Sequence, residues 1–274
     1  MRILKRIFDF YLDASMHVAL GVFALSYVTW YTLNIPVDLH LALFLFFGTV
    51  ACYNFVKYGV EADKYILVAK RYHKNIQFLS IVLLFFALYQ AYFLNPSVWM
   101  GIAVMIVLTG LYALPLLPNT KNLRSWAGFK IFIVALVWAV STVILPVLSH
   151  RSILFWDVWV EFFQRYVFIL ILLVPFEIRD LIYDSPELKT LPQRFGVART
   201  KIIGTILVLV FFFSTFLKDD IAISELLVKG VLFILLGWMI YFTRRNQSKY
   251  FASFWVESIP VFWLAFIVLV NLFF

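Results

Sequence analysis

Residues 175–196 read PFEIRDLIYDSPELKTLPQRFG, and they contain two aspartates, Asp180 and Asp184, four residues apart. On a helix this spacing places both carboxylates on one face, one turn apart, where they can share a hard cation such as Mg²⁺. The pair follows a strongly apolar stretch, and ionisable groups at the edge of a bilayer are costly to keep. The pattern therefore predicts a functional site, with a capped and solvated helix end as the alternative.

The composition is that of an integral membrane protein. Hydrophobic residues make up 64% of the chain and charged residues 14%, whereas soluble domains are roughly half apolar and about a quarter charged. The single cysteine, Cys52, excludes an internal disulfide. We expect an all-α, polytopic membrane protein.

Nine apolar stretches are long enough, or nearly so, to cross a bilayer, which takes about 20 helical residues. The predicted spans are 15–34, 39–56, 76–95, 98–117, 130–149, 161–178, 202–217, 224–243 and 253–273. The segment before them, MRILKRIFDFYLDASMH, predicts a short interfacial amphipathic helix ahead of a retained first anchor. No soluble domain can be separated, so we expect residues 1–274 to form one membrane domain.

The basic residues test this topology. If the N-terminus is inside, 19 of the 23 lysines and arginines lie in the inside segments, as the positive-inside rule predicts. The exceptions are Arg151, Arg165, Lys218 and Lys229. The net charge of +8 therefore reflects topology and does not indicate nucleic-acid binding. We predict a multi-pass protein of the cytoplasmic membrane with its N-terminus inside, its C-terminus outside and its function on the cytoplasmic face.

The aspartate segment resembles the second aspartate motif of the UbiA superfamily of intramembrane prenyltransferases. The resemblance rests on Arg179, Asp180, Asp184, Lys189, Thr190, Leu191, Pro192 and Gly196. Tyr112 and Pro115, followed by Lys121 and by Lys130 at the start of the next span, resemble the family's connection between its fourth and fifth helices. Nine spans with both motif loops inside are also typical of that family.

The resemblance implies a helical bundle around a central cavity that is open laterally to lipid. A polyprenyl diphosphate would lie there with its head at the cytoplasmic mouth, and a lipophilic acceptor, aromatic in some members, would capture the prenyl carbocation. In the family two aspartate-rich motifs hold Mg²⁺ on the diphosphate. A metal neutralises the charge that develops on the leaving group, and aromatic faces stabilise a nearby cation.

The chain departs from the family in its first motif. Where the family has aspartates about one, four and eight positions after an asparagine, Asn54 is followed by Phe55, Tyr58 and Ala62. Lys57 instead supplies a positive charge at this turn. Asp63 is a poor substitute, because one residue turns a helical side chain by about 100°, unless the helix has already ended near residue 59.

We therefore predict one Mg²⁺ site rather than two, with Asp180 and Asp184 as metal ligands. The resemblance implies that these two aspartates and Lys57 are catalytic. The residues expected to bind the diphosphate are Asn54, Lys57, Lys121, Lys130, Arg179 and Lys189. The aromatic residues expected to border the cavity are Tyr58, Tyr112 and Tyr183.

Two functions are compatible with these residues. The first is a prenyltransferase in which lysine and arginine replace part of the metal charge. The second is a UbiA-fold protein without catalysis that binds isoprenoid or lipid or acts as a membrane partner subunit. A transporter is disfavoured because the polar residues gather on one face.

Two glutamates have two expected positions each. Glu257 is expected either to face the cavity or to pair with Arg244 or Arg245. Glu177 is expected either to join the metal ligands or to form an ion pair. The prenyl chain length, the acceptor and the oligomeric state are left open.

Overall fold

The fold is a bundle of antiparallel and parallel helices, seen in a computed structural model that describes residues 2–60, 71–113, 130–150, 154–184 and 188–272. Its α-helices are α1 (Arg2–Asp13), α2 (Met16–Thr32), α3 (Leu39–Asn54), α4 (Arg71–Ala91), α5 (Pro96–Ala113), α6 (Lys130–Ala139), α7 (Leu145–Leu148), α8 (Trp156–Asp180), α9 (Leu191–Phe213), α10 (Ile223–Phe242) and α11 (Ile259–Asn271). The predicted all-α class is confirmed.

Seven helical segments of the described ranges are long and apolar enough to cross a membrane. They are Leu39–Tyr58, Tyr72–Ala91, Lys130–Leu148, Trp156–Asp180, Leu191–Leu217, Ile223–Phe242 and Phe251–Asn271. An eighth is obtained if the bent pair Ile3–Asp13 and Met16–Thr32 counts as one span. The predicted count of nine is therefore slightly off for the described residues. On its own α2 has 17 residues, and Pro96–Gly110 belongs to the shorter apolar helices.

The N-terminal helix α1 is separate from α2, as the sequence predicts. The two axes differ by 58°, and Ser15 at the corner has a left-handed backbone with a φ of 57°. One face of α1 exposes Ile3, Leu4 and Ile7, while Leu12 on its other face is buried. This distribution suits a helix that lies along the surface of the membrane.

The centre of the bundle is formed by α8, which packs against α6 and α9. Phe168 of α8, Phe211 of α9 and Trp263 of α11 form an aromatic triad with ring centroids 5.0 to 5.7 Å apart. Aromatic pairs in such geometries contribute about 0.5–1.5 kcal/mol beyond the area they bury. The triad therefore holds three spans together. Many large apolar side chains remain on the outside of the bundle, where lipid can cover them.

Three helices are continued or preceded by π-helical turns. These are Phe55–Val60 after α3, Val140–Ile144 between α6 and α7, and Phe251–Val256 before α11. A π-turn adds a residue to the helical repeat and is common at functional sites. The helix does not end before residue 59, because the widened turn that carries Lys57 and Tyr58 runs to Val60. Ala62 and Asp63 lie outside the described residues.

The bundle has two ends. The motif face carries the π-turn Phe55–Val60, the end of α8 and the start of α9, and His17 at the start of α2 contacts Phe254 there. The opposite face carries the end of α2, the start of α10 and the end of α11, where Tyr31 hydrogen-bonds Asn271.

Candidate functional site

The aspartate pair lies where α8 ends on the motif face. The Asp184 amide donates to the Asp180 carbonyl over 2.9 Å, so the chain makes one further helical turn after α8. The two residues are therefore one turn apart, as their spacing predicts. Asp180 and Asp184 are both partly exposed, which leaves them accessible to a ligand.

Arg179 holds the carboxylate of Asp180. Its Nε donates to Oδ1 over 2.7 Å and its Nη2 donates to Oδ2 over 3.0 Å. The guanidinium also stacks over Phe176, 4.9 Å from the ring centroid. About a third of each ionic side chain is exposed. Exposed ion pairs contribute only about 0–1 kcal/mol, so a metal or a phosphate can replace either partner at low cost.

Glu177 adds a third carboxylate one turn before Asp180. It is buried, it accepts a hydrogen bond from the backbone amide of Leu191, and it interacts electrostatically with Lys130, Asp184 and Asp180. It thereby links the start of α6, the end of α8 and the start of α9. Within the described ranges, no three histidine, cysteine, aspartate or glutamate residues are grouped closely enough to hold a metal ion.

The segment that follows the aspartate pair is joined to it by hydrogen bonds. Gln193 accepts a hydrogen bond from the Thr190 amide over 3.0 Å and donates to the Asp184 carbonyl over 3.3 Å. Pro192 occupies the first turn of α9, where its missing N–H costs nothing. Gly196 has a φ of 78°, a conformation that glycine adopts far more readily than other residues. Thr190 and Gln193 therefore connect the start of α9 to the aspartate turn.

Lys57 and Tyr58 are held on the other side of the motif face by the corner between α1 and α2. The Lys57 Nζ donates to the Asp13 carbonyl over 3.3 Å, and the Tyr58 hydroxyl donates to the same oxygen over 2.9 Å. Tyr72 of α4 donates to the Asp13 carboxylate over 2.9 Å. Sequence analysis did not identify Asp13 as the residue that connects these elements, because its contacts are long-range.

Asn54 connects α3 to Ala14 and to α4 through hydrogen bonds. Its Nδ2 donates to the Ala14 carbonyl over 3.0 Å and to the Ser80 hydroxyl over 2.9 Å, and the side chain is buried. Both amide protons are thus engaged by protein. Its Oδ1 is buried without a hydrogen-bond partner among the described residues.

Glu257 connects the two halves of the motif face. It follows the π-turn before α11, and its carboxylate interacts electrostatically with Lys57 and with Arg179. The Glu257 side chain is partly exposed. Its two expected positions, facing the cavity or paired with Arg244 or Arg245, stay predictions. Lys57, at the position of the first motif, and Arg179, in the second motif, therefore both interact electrostatically with the carboxylate of Glu257.

The remaining predicted site residues are placed less centrally or fall outside the described side chains. Lys130 opens α6 beside Glu177, and Lys189 is exposed with a φ of 45°. Tyr183 has 83% of its side chain exposed and does not pack within the bundle. Tyr112 lies near the end of α5, but its side chain is outside the described part, as is all of Lys121.

The donor chemistry at the motif face fits one Mg²⁺. Mg²⁺ is commonly held by one or two carboxylates together with substrate phosphates and water. Asp180 and Asp184 supply such carboxylates from one helical turn. The carboxylate of Glu177 interacts electrostatically with both aspartates. The residues at the first motif position supply a cation and hydrogen-bond donors instead of further carboxylates.

Solved structures with the same fold were found by comparison, whereas no family model and no curated protein sequence matches the chain. A UbiA homologue from Archaeoglobus fulgidus bound to DMAPP and Mg²⁺ superposes with a TM-score of 0.64 at 13% identity, over 95% of this chain and 98% of that one. The same homologue bound to GPP and Mg²⁺ gives 0.64 at 14% identity, over 95% and 99%.

A digeranylgeranylglyceryl phosphate synthase gives a TM-score of 0.57 at 17% identity, over 98% of this chain and 97% of the other. The likeness extends along nearly the whole of each chain. The protein is therefore a multi-pass membrane protein with the fold of the UbiA superfamily, which confirms the resemblance stated from its sequence.

Proposed function

We propose, on the premise of the UbiA-superfamily fold, that the protein is a membrane prenyltransferase that binds a polyprenyl diphosphate at the motif face. The prenyl group would pass to a lipophilic acceptor. The observation that carries this proposal is the direct contact of Arg179 with Asp180 one turn before Asp184, with Lys57 and Arg179 both interacting electrostatically with Glu257. Structures of this fold bound to DMAPP, GPP and Mg²⁺ support it.

The charges at the motif face suit a diphosphate. Lys57 and Arg179 belong to different helical segments, and both interact electrostatically with the carboxylate of Glu257. A diphosphate carries more negative charge than a carboxylate and accepts more hydrogen bonds, so it competes well for the two cations. Arginine in particular matches phosphate oxygens with two parallel donors.

The reaction proposed is the transfer of a prenyl group with loss of diphosphate. Mg²⁺ held by Asp180 and Asp184 would supply a Lewis acid that neutralises the charge on the departing diphosphate. Arg179 exchanges the carboxylate of Asp180 for phosphate oxygens, and Lys57 exchanges the Asp13 carbonyl for them. The allylic carbon–oxygen bond breaks, the acceptor forms a bond to the allylic carbon, and the acceptor releases a proton.

Binding of GPP to the purified protein tests the site. We expect Mg²⁺ to strengthen binding, and Asp180→Ala and Asp184→Ala each to weaken the Mg²⁺-dependent part by about tenfold or more, since both remove a metal ligand. Asp220→Ala is the matched control, because this aspartate is exposed near the opposite face. Binding that is indifferent to Mg²⁺ and to both substitutions would rule out the metal site.

A second candidate function is isoprenoid binding without catalysis. It is favoured by the loss of carboxylates at the first motif, where Phe55 and Tyr58 stand in place of aspartates and Tyr58 is engaged by Asp13. Turnover of GPP across a panel of aromatic and alcohol acceptors separates the two functions. A prenyltransferase should lose turnover on Lys57→Ala and keep it on Lys74→Ala, an exposed lysine of α4. Tight binding with no product from any acceptor favours the binder.

A further inference from the structure

A cavity of about 820 Å³ opens at the opposite face, between the ends of α2 and α11 and the start of α10. Its walls are mainly aromatic and aliphatic and include Tyr27, Trp30, Trp263 and Ile267, while Glu225 and Lys229 form a polar part of its lining. Cavities of about 300–1,000 Å³ with apolar walls and a few polar groups are typical of small-molecule sites. This cavity is at the other end of the bundle from the aspartate pair.

Five charged residues lie at or behind the polar part of the cavity. Lys229 Nζ donates to Gln164 and to Glu225 over 2.6 Å each and to Glu161 over 3.4 Å. Lys218 Nζ contacts Glu225 at 2.6 Å and Glu161 at 3.0 Å. Arg165 donates to Glu161 over 3.1 Å and its guanidinium lies 4.9 Å from the Trp263 ring centroid. Three cations and two carboxylates give this cluster one excess positive charge.

The only member of this cluster with appreciable exposure is Glu225. Its side chain is 13% exposed, whereas those of Lys218, Lys229, Arg165 and Glu161 are at most 2% exposed. The three N–H groups of Lys229 have three acceptors. Among the described residues, both hydrogen bonds to Glu225 go to Oε1. Glu225 lines the cavity, so a ligand there can reach this carboxylate, which accepts hydrogen bonds and donates none.

The charges decide which ligand fits. A cationic ligand would add to a cluster that already has an excess positive charge, and burying uncompensated charge is costly. An anionic ligand would meet the Glu225 carboxylate before it reached either lysine. An uncharged hydroxyl group satisfies the carboxylate without changing the charge of the cluster.

We propose that this cavity binds an uncharged lipophilic alcohol whose hydroxyl donates to Glu225 and whose apolar body lies among the aromatic side chains. Intramembrane charges that pair within a bundle often mark a ligand site, which agrees with this assignment. The proposal does not depend on the function proposed for the motif face, because it uses none of those residues.

The test is photolabelling of the protein in lipid nanodiscs with a diazirine-bearing C15 alcohol. Three matched probes carry the same chain and diazirine but end in a methyl ether, a carboxylate or a trimethylammonium group. We expect the alcohol to label residues 27–37, 222–229 and 263–272 about tenfold more than each of the others, because only it donates a hydrogen bond without adding charge. Equal labelling by all four probes, or preference for a charged probe, overturns the proposal.

Substitutions test whether the photolabelling depends on Glu225 and on the cavity. Glu225→Gln should abolish the preference for the alcohol over the ether, with Asp220→Asn as a control that removes an exposed carboxylate near the same face. Because Glu225→Gln disturbs two buried lysines, Val268→Trp tests the cavity without changing its charges. Val268 lines the cavity and is 55% exposed, and its neighbour Leu269, 53% exposed and outside the lining, supplies the control Leu269→Trp. Undiminished labelling of Val268→Trp also overturns the proposal.

Discussion

The guanidinium of Arg179 interacts with two carboxylates at the motif face, those of Asp180 and Glu257. It engages both carboxylate oxygens of Asp180, and it also acts electrostatically on Glu257. In this arrangement Arg179 occupies the carboxylate of Asp180, the proposed metal ligand. A diphosphate that draws Arg179 away would release Asp180 for Mg²⁺, so substrate and metal should bind cooperatively.

This competition predicts opposite effects from one substitution. Arg179→Met should strengthen Mn²⁺ binding without substrate, by up to about fivefold, because an exposed ion pair is worth about 0–1 kcal/mol. The same variant should weaken GPP binding. Electron paramagnetic resonance of Mn²⁺ measures the first effect and isothermal titration the second, with Arg194→Met, an exposed arginine of α9, as control. Weaker binding of both ligands would show that Arg179 does not shield Asp180.

The residues of the second motif could be predicted from the sequence because their geometry is local. Asp180 and Asp184 lie one turn apart on a continuing helix, and the Thr190 and Gln193 contacts span only a few residues. The role of Asn54 could not be predicted, since its amide is used by Ala14 and Ser80, far away in the chain. Sequence spacing shows which face a side chain occupies but not which distant groups reach it.

At the scale of elements, α1 is fixed to the motif face by a small polar cluster. Asp9 accepts hydrogen bonds from Tyr250 over 2.9 Å and from Lys249 over 3.1 Å. These two bonds hold the pKa of Asp9 below its ordinary value. Phe8 adds an edge contact with Phe254, 5.1 Å between ring centroids. The helix that positions Asp13, and through it Lys57, is thus anchored at a second point.

The anchor should depend on pH. Because the pKa of Asp9 is lowered in the folded protein, its contribution is present at neutral pH and is lost as the pH falls below about 4, the ordinary range of aspartate. The hydrogen-exchange protection factors of residues 2–13, which correct for the intrinsic effect of pH, should therefore fall below that pH while those of α2 stay high. Asp9→Asn should reproduce the loss of protection at pH 7. If protection of α1 in the variant equals that of the unchanged protein, and is the same below pH 4 as at pH 7, the anchor contributes nothing.

The helices themselves were predictable, and their π-turns were not. Long apolar stretches have no alternative to helix in lipid, because every backbone group must be satisfied internally. The widened turn Phe55–Val60, by contrast, carries Lys57 and Tyr58 to the Asp13 carbonyl, more than 40 residues earlier. Tertiary contacts of this kind leave no local pattern in the sequence.

At the scale of the whole molecule, charge is divided between the two faces. The motif face has exposed basic residues, whereas the basic residues Arg165, Lys218 and Lys229 near the opposite face are buried in ion pairs. The sequence marks these three as exceptions to the inside bias. The spacing of Glu161 with Arg165 and of Glu225 with Lys229, four residues in each case, is the signal that could have identified them as pairs.

This division predicts the orientation of the protein. On a Cys52→Ser background, a membrane-impermeant maleimide should label Asp220→Cys in intact cells, because this residue is exposed near the opposite face. Arg194→Cys, exposed near the motif face, should react only after permeabilisation. The basic loops of the motif face are expected to stay inside. The reverse pattern of labelling would place the aspartate pair outside the cell.

The link between Asp9 and Lys249 joins residues 240 positions apart. At roughly 5–20 residues per second, a ribosome takes about 12 to 48 s to synthesise the intervening chain. During that time α1 has emerged without its contacts to Lys249 and Tyr250, and the aspartate turn forms before Glu257 is present. The motif face can therefore be completed only after the last span has entered the bilayer, so an interrupted nascent chain exposes an unfinished site to the membrane and to the quality-control proteases.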